Sequence, residues 1–260
     1  MSRGKLSQAP VIYSLIHVRF SPILAIQSHI SAIQDRLRSK YPRYQHGQLQ
    51  SFRISPDGKS EVVSSDPRWE FATKDNIAGV VLQTGSFLFH TTAYTTFDEF
   101  LDNAIETLSV IGEIANISLV ERIGVRYIDS VVPNDGELLD EYIDSSMMGF
   151  PFNKVKNLNL SYSFTQTHGR TPDGELVAKL VINNEGAHLP IDLNPCNLTI
   201  NRKIPKDRFT ALIDTDHFYV PGTPIDFDIE SISKRIDSMH VAISEIFWAT
   251  ITEKAYLRWK

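Results

Sequence analysis

The sequence predicts an α+β fold of two similar halves, each an antiparallel β-meander packed by a long amphipathic helix in a two-layer arrangement. Residues 86–112 pass from an alternating strand pattern, through a threonine cluster, into an amphipathic helix. A looser version of the same order recurs over residues 209–247. Four turn-forming residues, 133–136, separate the two copies. We therefore expect halves at 1–133 and 134–260, closely associated or merged into one domain.

The first half begins with a strand that we expect to be buried on both faces. VIYSLIHVRF (Val11–Phe20) is rich in β-branched and aromatic residues and is apolar on both faces for part of its length, as in a central strand. Ser21 and Pro22 predict the start of a helix, and apolar residues at helical spacing continue it to Leu37. Further strands are predicted at 44–55, 69–73 and 79–92, the last folded into a hairpin at 83–86.

A capping box predicts the long helix of the first half. Thr96 can cap the helix, and Glu99 follows three residues later. Apolar residues then line one face, and a strand at 119–132 leads to the turn at 133–136. These residues are Phe97, Phe100, Leu101, Ala104, Ile105, Leu108, Ile111 and Ile114.

The second half repeats strands before a final helix. Strands are predicted at 158–167, 175–182, 197–203 and 209–220. Asp226 or Asp228 can cap the helix, whose apolar stripe begins at Ile229 and which we expect to run to residue 257. The stripe is too short for a coiled coil, so we expect this helix to lie across a sheet rather than to dimerise.

Composition favours a cytoplasmic protein without a membrane segment. The sequence contains no apolar run of about 18–20 residues, and its start has no signal-peptide core. Cys196 is the single cysteine, which excludes an internal disulfide and fits a reducing compartment; we expect it to be a structural thiol. The net charge of −5 disfavours a dedicated nucleic-acid binder.

Five sequence blocks resemble a sporadically distributed family of conserved bacterial proteins of about this length. They are VRFSPI, YPRY, FHTTAYTTFDEF, LVERIGVRYIDSVVP and FWATITEK, in the same order as in the family, and the fourth is the most specific. The resemblance implies no catalytic activity, cofactor or site residue. The patchy occurrence of the family implies mobile or defence-associated genes, and hence an accessory, sensing or antitoxin-like role.

Three arginines are candidates for binding a ligand or partner. Alternation along the strand at 119–132 places Arg122 and Arg126 on one face, with Gly124 between them, and Arg19 lies on the less apolar face of the first strand. Together they could hold an anion or a partner's carboxylate, with the ligand close to the backbone at Gly124. The alternative is internal pairing, with Glu121, Asp129 or Glu70 as partners.

A basic patch after the first helix has two interpretations. Its residues are Arg36, Arg38, Lys40 and Arg43, interleaved with Tyr41 and Tyr44. Such a cluster can hold phosphates and stack bases. Cations at a helix C-terminus also interact favourably with the helix dipole. The residues do not all share a face, so we favour the second interpretation.

Two further features could carry chemistry. His90 on its strand could be a general acid or base, or a buried ring bonded to hydroxyls. Asp214 and Asp216 share a strand face and could bind a hard metal such as Mg²⁺, or could simply be the polar end of a strand.

The absence of familiar catalytic motifs favours a binding protein over an enzyme. The sequence has no nucleophile elbow, glycine-rich phosphate loop, H-E-x-x-H or C-x-x-C pair. We expect a protein without a cofactor that binds another protein in a defence or toxin–antitoxin setting, or senses a small ligand in a cleft between the halves. The alternative is a metal-dependent hydrolase or nuclease that uses Asp214 and Asp216. The sequence is also compatible with a homo-oligomer.

Overall fold

The computed structural model describes residues 6–54, 60–150, 155–157, 160–186, 188–201, 205 and 208–260, which form an α+β fold with a large antiparallel sheet and four helices. The strands are β1 (Val11–Phe20), β2 (Arg43–Ile54), β3 (Ser60–Ala72), β4 (Ala78–Gln83), β5 (Ser86–Thr91), β6 (Leu119–Val131), β7 (Tyr162–Thr171), β8 (Gly174–Asn183), β9 (Thr210–Tyr219) and β10 (Ile225–Asp226). The helices are α1 (Ile26–Leu37), α2 (Phe97–Ala115), α3 (Ile229–Thr250) and α4 (Glu253–Trp259).

The strand order places β1 and β6 at the centre of the sheet. It is β2-β3-β4-β5-β1-β6-β9-β8-β7, with β10 beside β6. β1 pairs with β5 on one side and β6 on the other, which confirms the central strand that its two apolar faces predicted. The hairpin at 83–86 is also confirmed, since β4 and β5 pair across it. β3 is longer than predicted and begins at Ser60 rather than 69.

One face of the sheet packs against α1, α2 and α3 in the largest apolar cluster. Ile16, Val18 and Phe20 of β1 belong to it, together with apolar residues from the three helices. Ile30 of α1, Leu108 of α2 and Ile236 of α3 are among these. Burial of apolar side chains is the main force that holds helices on this face. The helical stripes expected from the sequence therefore face the sheet.

The opposite face carries a smaller apolar cluster that residues 188–201 cover. We call this segment the strap. Its Leu189 and Leu193 pack against buried residues of β1, β6 and β9, and the amide of Thr199 donates to Asn76 O at 2.8 Å. A strand was predicted at 197–203, but residues 197–201 are not a strand; residues 202 and 203 lie outside the described part of the chain. A turn explains this, because Leu198 N donates to Pro195 O at 3.0 Å.

Two helix boundaries differ from the sequence prediction. α1 begins at Ile26, because the Ser21 hydroxyl donates to Glu121 at 3.1 Å instead of capping a helix. α3 ends at Thr250 rather than near 257, because Ile251 is extended and forms a β-bridge with Ile143. In the described ranges, no helix combines the length and apolarity needed to cross a membrane.

The predicted helix caps are present. The Thr96 hydroxyl accepts a hydrogen bond from Glu99 N at 3.2 Å, although the Glu99 carboxylate accepts from Thr95 rather than completing the capping box. Asp228, the second of the two predicted alternatives, caps α3 by accepting from Ser231 N at 2.8 Å. These caps satisfy amide groups that the first helical turn leaves unpaired.

Candidate functional site

Arg126 lies on the strap side of the sheet, between two aspartates. Its Nε and Nη2 donate to the two carboxylate oxygens of Asp214, each at 2.7 Å, and its Nη1 donates to Asp192 of the strap at 2.6 Å. Arg126 and Asp214 are 6% and 2% exposed. Burial disfavours the Arg126 cation, but the hydrogen bonds and charges of Asp214 and Asp192 outweigh it and raise the Arg126 pKa above its ordinary value. Arg126 is therefore paired inside the protein.

Arg19 pairs with Glu121, one of the partners predicted for internal pairing, whereas Arg122 and Arg126 have other partners. Glu121 pairs with Arg19 at 3.4 Å, and Glu70 pairs with Arg68 at 2.7 Å. Asp129 lies two residues after Tyr127 on β6, so both side chains are on the same face of the sheet, the one covered by helices. The difference arises because β9 lies beside β6 and brings Asp214 diagonally next to Arg126. Sequence spacing alone does not reveal that pairing.

Arg122 shares the strap-side face with Arg126 and fills the space above Gly124. A Cβ at Gly124 would lie 2.7 Å from Arg122 Nη1, so the guanidinium, not a ligand, approaches the backbone there. Arg122 donates to His17 Nδ1 at 3.1 Å and lies 3.7 Å from Asp216. Burial, with Arg122 and Arg19 nearby, lowers the His17 pKa to about 4. This cluster is also internally paired.

The basic residues in the last turn of α1 and just after it each have a partner of their own. Three carboxylates and one carbonyl supply these contacts. The pairs are Arg36 with Glu113 at 3.6 Å, Arg38 with Asp35 at 3.1 Å, Lys40 with Glu106 at 2.5 Å, and Arg43 with Lys74 O at 2.7 Å. The contacts of Arg36 and Lys40 join α1 and its end to α2.

His90 and the aspartates of β9 are held in structural contacts. His90 is 2% exposed, its Nδ1 lies 2.8 Å from the Tyr13 hydroxyl, and burial lowers its pKa to about 3. Asp214 also lies 3.4 Å from Lys179, while Asp216 faces Arg122. Burial raises the Asp216 pKa despite that arginine. The described residues include no group of three or more His, Cys, Asp or Glu side chains able to hold a metal ion.

A cavity of about 370 Å³ lies on the helix side, between the start of α2, β6 and α3. Aromatic side chains dominate its walls, and polar groups from three elements converge on it. The aromatic residues are Tyr94, Phe97, Tyr127, Phe247 and Trp248. The polar residues are Thr95, Thr96, Asp98, Asp129, His240 and Ser244. Largely apolar walls with a few convergent polar groups are typical of small-molecule sites.

Ring contacts fix the shape of this cavity. The His240 ring stacks on Phe97 with 3.8 Å between centroids and 4° between planes. Tyr127 meets Tyr94 edge to face at 5.3 Å. The capped start of α2 positions Phe97, and one face of α3 presents His240 and Ser244 one turn apart. The walls are therefore held by packed rings on regular elements.

Two buried polar atoms in the cavity wall have little hydrogen bonding from the described residues. Within the described part of the chain, neither the Tyr127 hydroxyl nor His240 Nδ1 has a partner of hydrogen-bond geometry. Burial raises the Tyr127 pKa, and the neighbouring Tyr94 hydroxyl and Asp129 carboxylate add to that effect. Burial lowers the His240 pKa to about 4, although Asp98 opposes the shift. At neutral pH the His240 imidazole in the cavity wall is therefore neutral.

Sequence reasoning did not find this cavity, although one signal was present. Asp129 lies on the same strand face as Ile123, Val125 and Tyr127, which is an apolar, buried face. A carboxylate on such a face is unusual, because burial of a charged group is costly. The other walls come from distant segments whose meeting no local pattern predicts.

The cavity beneath the strap is a weaker candidate, because its polar groups bond one another. It measures about 420 Å³ and includes Glu70, His90, Cys196 and Asn197. Asn197 donates to Glu70 at 2.8 Å.

No family model matches the sequence, and no curated protein matches it.

Proposed function

We propose that the protein is a non-enzymatic binding protein that takes a small ligand in the cavity between α2 and α3. The observation that supports this most is a pair of buried polar atoms in an aromatic cavity: His240 Nδ1, which has no hydrogen-bond partner among the described residues, and the Tyr127 hydroxyl, which interacts with the Tyr94 hydroxyl without good hydrogen-bond geometry. A buried polar group without a partner costs about 1–3 kcal/mol. A ligand that bonds to these atoms would regain part of that free energy, which favours binding.

The metal-dependent hydrolase or nuclease has less support. Asp214 accepts two hydrogen bonds from Arg126, and Asp216 faces Arg122. A metal at these carboxylates would have to displace arginines that already neutralise them. The internal pairing of these aspartates therefore favours a structural role.

The strand order supports the proposed duplication of the fold. From the centre outwards, one side has β1-β5-β4-β3-β2 and the other has β6-β9-β8-β7, so the first side has one strand more. α2 follows β5, and α3 follows β9 and the two-residue β10, so each series is followed by a long helix. This order favours a boundary between α2 and β6, near residues 116–118, over the boundary expected at 133–136. The ligand cavity would then lie where two similar units, each a sheet layer under a long helix, meet.

The family resemblance adds a proposed biological setting. A patchily distributed, defence-associated protein fits an accessory or sensing role in which ligand binding alters contact with a partner protein. The acidic carboxylates of the cavity and the internal pairing of the basic patch both argue against nucleic acid as the ligand.

A ligand screen tests the proposed site. The protein is heated with fragment mixtures containing cationic, neutral and anionic compounds, and the unfolding temperature is measured. A ligand at about 100 times its Kd should stabilise the fold by about 2.7 kcal/mol. Ser244→Phe places a ring in the cavity and should weaken binding of every hit by about tenfold or more.

The controls separate cavity blocking from general damage. Val241→Phe adds the same ring at an exposed position of α3 and should leave binding unchanged. Thr95→Trp, at the exposed rim, is a second blocking variant if Ser244→Phe unfolds. Hits that bind both blocking variants as well as they bind the original protein, or a screen without hits, would contradict the proposal.

A further inference from the structure

We propose that β7 is a dimerisation strand, whose outer edge pairs antiparallel with β7 of a second copy of this chain. In the proposed dimer, Gln166 of each copy faces Gln166 of the other at the two-fold axis. The inference goes beyond the proposed ligand cavity and does not depend on it. An open backbone edge, the composition of the strand and a self-complementary register support it.

The outer edge of β7 is open to solvent. β7 is the last strand on its side of the sheet, and no described strand pairs with it other than β8. Residues 166–170 are exposed without interruption, so side chains on both strand faces and the backbone at Gly169 reach solvent. Such an edge presents amide and carbonyl groups that can pair with another strand.

The other side of the sheet shows how such an edge can be covered. Counted outwards from the centre, β3 and β7 hold equivalent places, each fourth on its side. β2 pairs with the outer edge of β3 along most of its length, whereas β7 has no described neighbour in that place. A strand from a second copy would give β7 the neighbour that β2 gives β3.

β7 lacks the features by which edge strands usually avoid pairing. Such strands contain proline, bulges or several charged side chains. β7 contains no proline, Arg170 is its only lysine, arginine, aspartate or glutamate, and it pairs with β8 without a register shift. Tyr162 and Phe164 are 57% and 50% exposed. The strand is therefore suited to pairing rather than protected from it.

One register makes β7 complementary to itself. Directly opposite residues of an antiparallel pair share a face. With Gln166 opposite itself, Tyr162 faces Arg170 and Phe164 faces His168, each twice by symmetry. An arginine over a tyrosine ring is a favourable cation–π contact. The same register keeps the two Arg170 side chains far apart, so no like charges oppose each other.

This register also fits the opposite face of β7. It places Thr165 opposite Thr167, a pair that stabilises sheets, and Ser163 opposite Gly169 of the second copy. Space beside Ser163 is limited, because a Cβ on Gly149 would lie 2.5 Å from the Ser163 hydroxyl. A glycine opposite Ser163 has no side chain to clash there.

Analytical ultracentrifugation of the full chain tests for the dimer. As the concentration rises, the mass should increase from 29.4 kDa towards twice that value. One strand pair is a small interface, so we expect a Kd of about 10–100 μM. A mass that stays at 29.4 kDa at concentrations well above this range would overturn the proposal.

Two matched substitutions test the contact between Tyr162 and Arg170. Tyr162→Glu and Tyr162→Arg both remove the exposed ring, and they differ in the charge that they place opposite Arg170. Tyr162→Glu should dimerise about tenfold more tightly than Tyr162→Arg at low ionic strength, because the symmetric dimer contains the contact twice. Equal Kd values for the two variants would show that β7 does not pair in this register.

Cross-linking through introduced thiols identifies the register directly. Gln166→Cys and Tyr162→Cys are each made in a Cys196→Ser background, which removes the single native cysteine. In the proposed dimer the two 166 positions are about 5 Å apart, whereas the two 162 positions are roughly 26 Å apart. A short bis-maleimide should therefore join Gln166→Cys and not Tyr162→Cys. Dimers that are joined at 162, or at neither position, would place the interface elsewhere and overturn the assignment of β7.

Discussion

Arg126 joins three segments that are distant in the sequence. It lies on β6 and bonds Asp214 on β9 and Asp192 in the strap. Its guanidinium suits this role, because a planar fork can bond two carboxylates at once. The residue that seemed suited to capture a ligand instead holds the strap against the sheet.

Removal of Arg126 should destabilise the fold strongly. Arg126→Met leaves Asp214 buried without its main counter-charge, and we expect a loss of about 3–5 kcal/mol in the free energy of unfolding. Asp192→Asn, with Asp192 57% exposed, should cost about 1 kcal/mol or less. Urea unfolding at neutral pH measures both. A smaller loss in Arg126→Met than in Asp192→Asn would argue that the arginine is kept for binding a ligand or partner.

His90 should contribute to acid destabilisation. Burial lowers its pKa to about 3 in the folded protein, against about 6.5 for an ordinary histidine. Below about pH 6.5 the unfolded chain therefore binds a proton that the folded chain does not, and stability falls as the pH decreases towards 3. Between about pH 6.5 and pH 5, His90 should lower the free energy of unfolding by about 2 kcal/mol.

Urea unfolding at the two pH values tests the role of His90. His90→Gln removes the titrating ring and should make the dependence of stability on pH shallower. His188→Gln, at an exposed position, is the matched control. Equal pH dependence in the original protein and in His90→Gln would show that the buried ring is not responsible.

At the scale of elements, α3 shows where local pattern stops being informative. The apolar spacing continues beyond Thr250, and the sequence predicted a single helix to 257. Tertiary hydrogen bonds end it instead: Asp144 N donates to Thr250 O at 2.8 Å, and Thr252 N donates to Tyr142 O at 3.0 Å. Thr252 then caps α4 by accepting from Ala255 N at 3.2 Å. A helix ends where another segment offers its backbone groups better partners.

For the whole molecule, the sheet predicts joint unfolding of both proposed halves. β6 pairs with β1 on one side and β9 on the other, so separation of the halves would leave a long central edge unpaired. A single cooperative transition is the expected result. The boundary at 133–136, which assigns β6 to the first half, is crossed by the entire β6–β9 ladder.

The three tryptophans can report separately on the two proposed halves of the fold. Trp69 lies on β3, while Trp248 and Trp259 lie on α3 and α4. One variant keeps only Trp69 and another keeps only Trp248. In each variant, the urea midpoint from tryptophan fluorescence should equal the midpoint from circular dichroism, which reports on the whole fold. Midpoints that differ between probes within one variant would indicate halves that unfold separately.

The sequence by itself determined the features that depend on local periodicity. Alternation placed Arg122 and Arg126 on one strand face, helical spacing predicted the apolar stripes of α2 and α3, and turn and cap residues predicted the β4–β5 hairpin and the Thr96 cap. Each follows from backbone geometry within a few residues. Most of the α+β fold could therefore be predicted.

Only the tertiary structure decided which distant groups meet. The pairing of β6 with β9 set Asp214 beside Arg126, the strap brought Asp192 to the same guanidinium, and the approach of α3 to the start of α2 enclosed the cavity around Tyr127 and Asp129. Period and propensity are properties of a short segment, whereas partner choice depends on register and packing between segments far apart in the chain. The residues of the candidate site come almost entirely from segments that are far apart in the sequence.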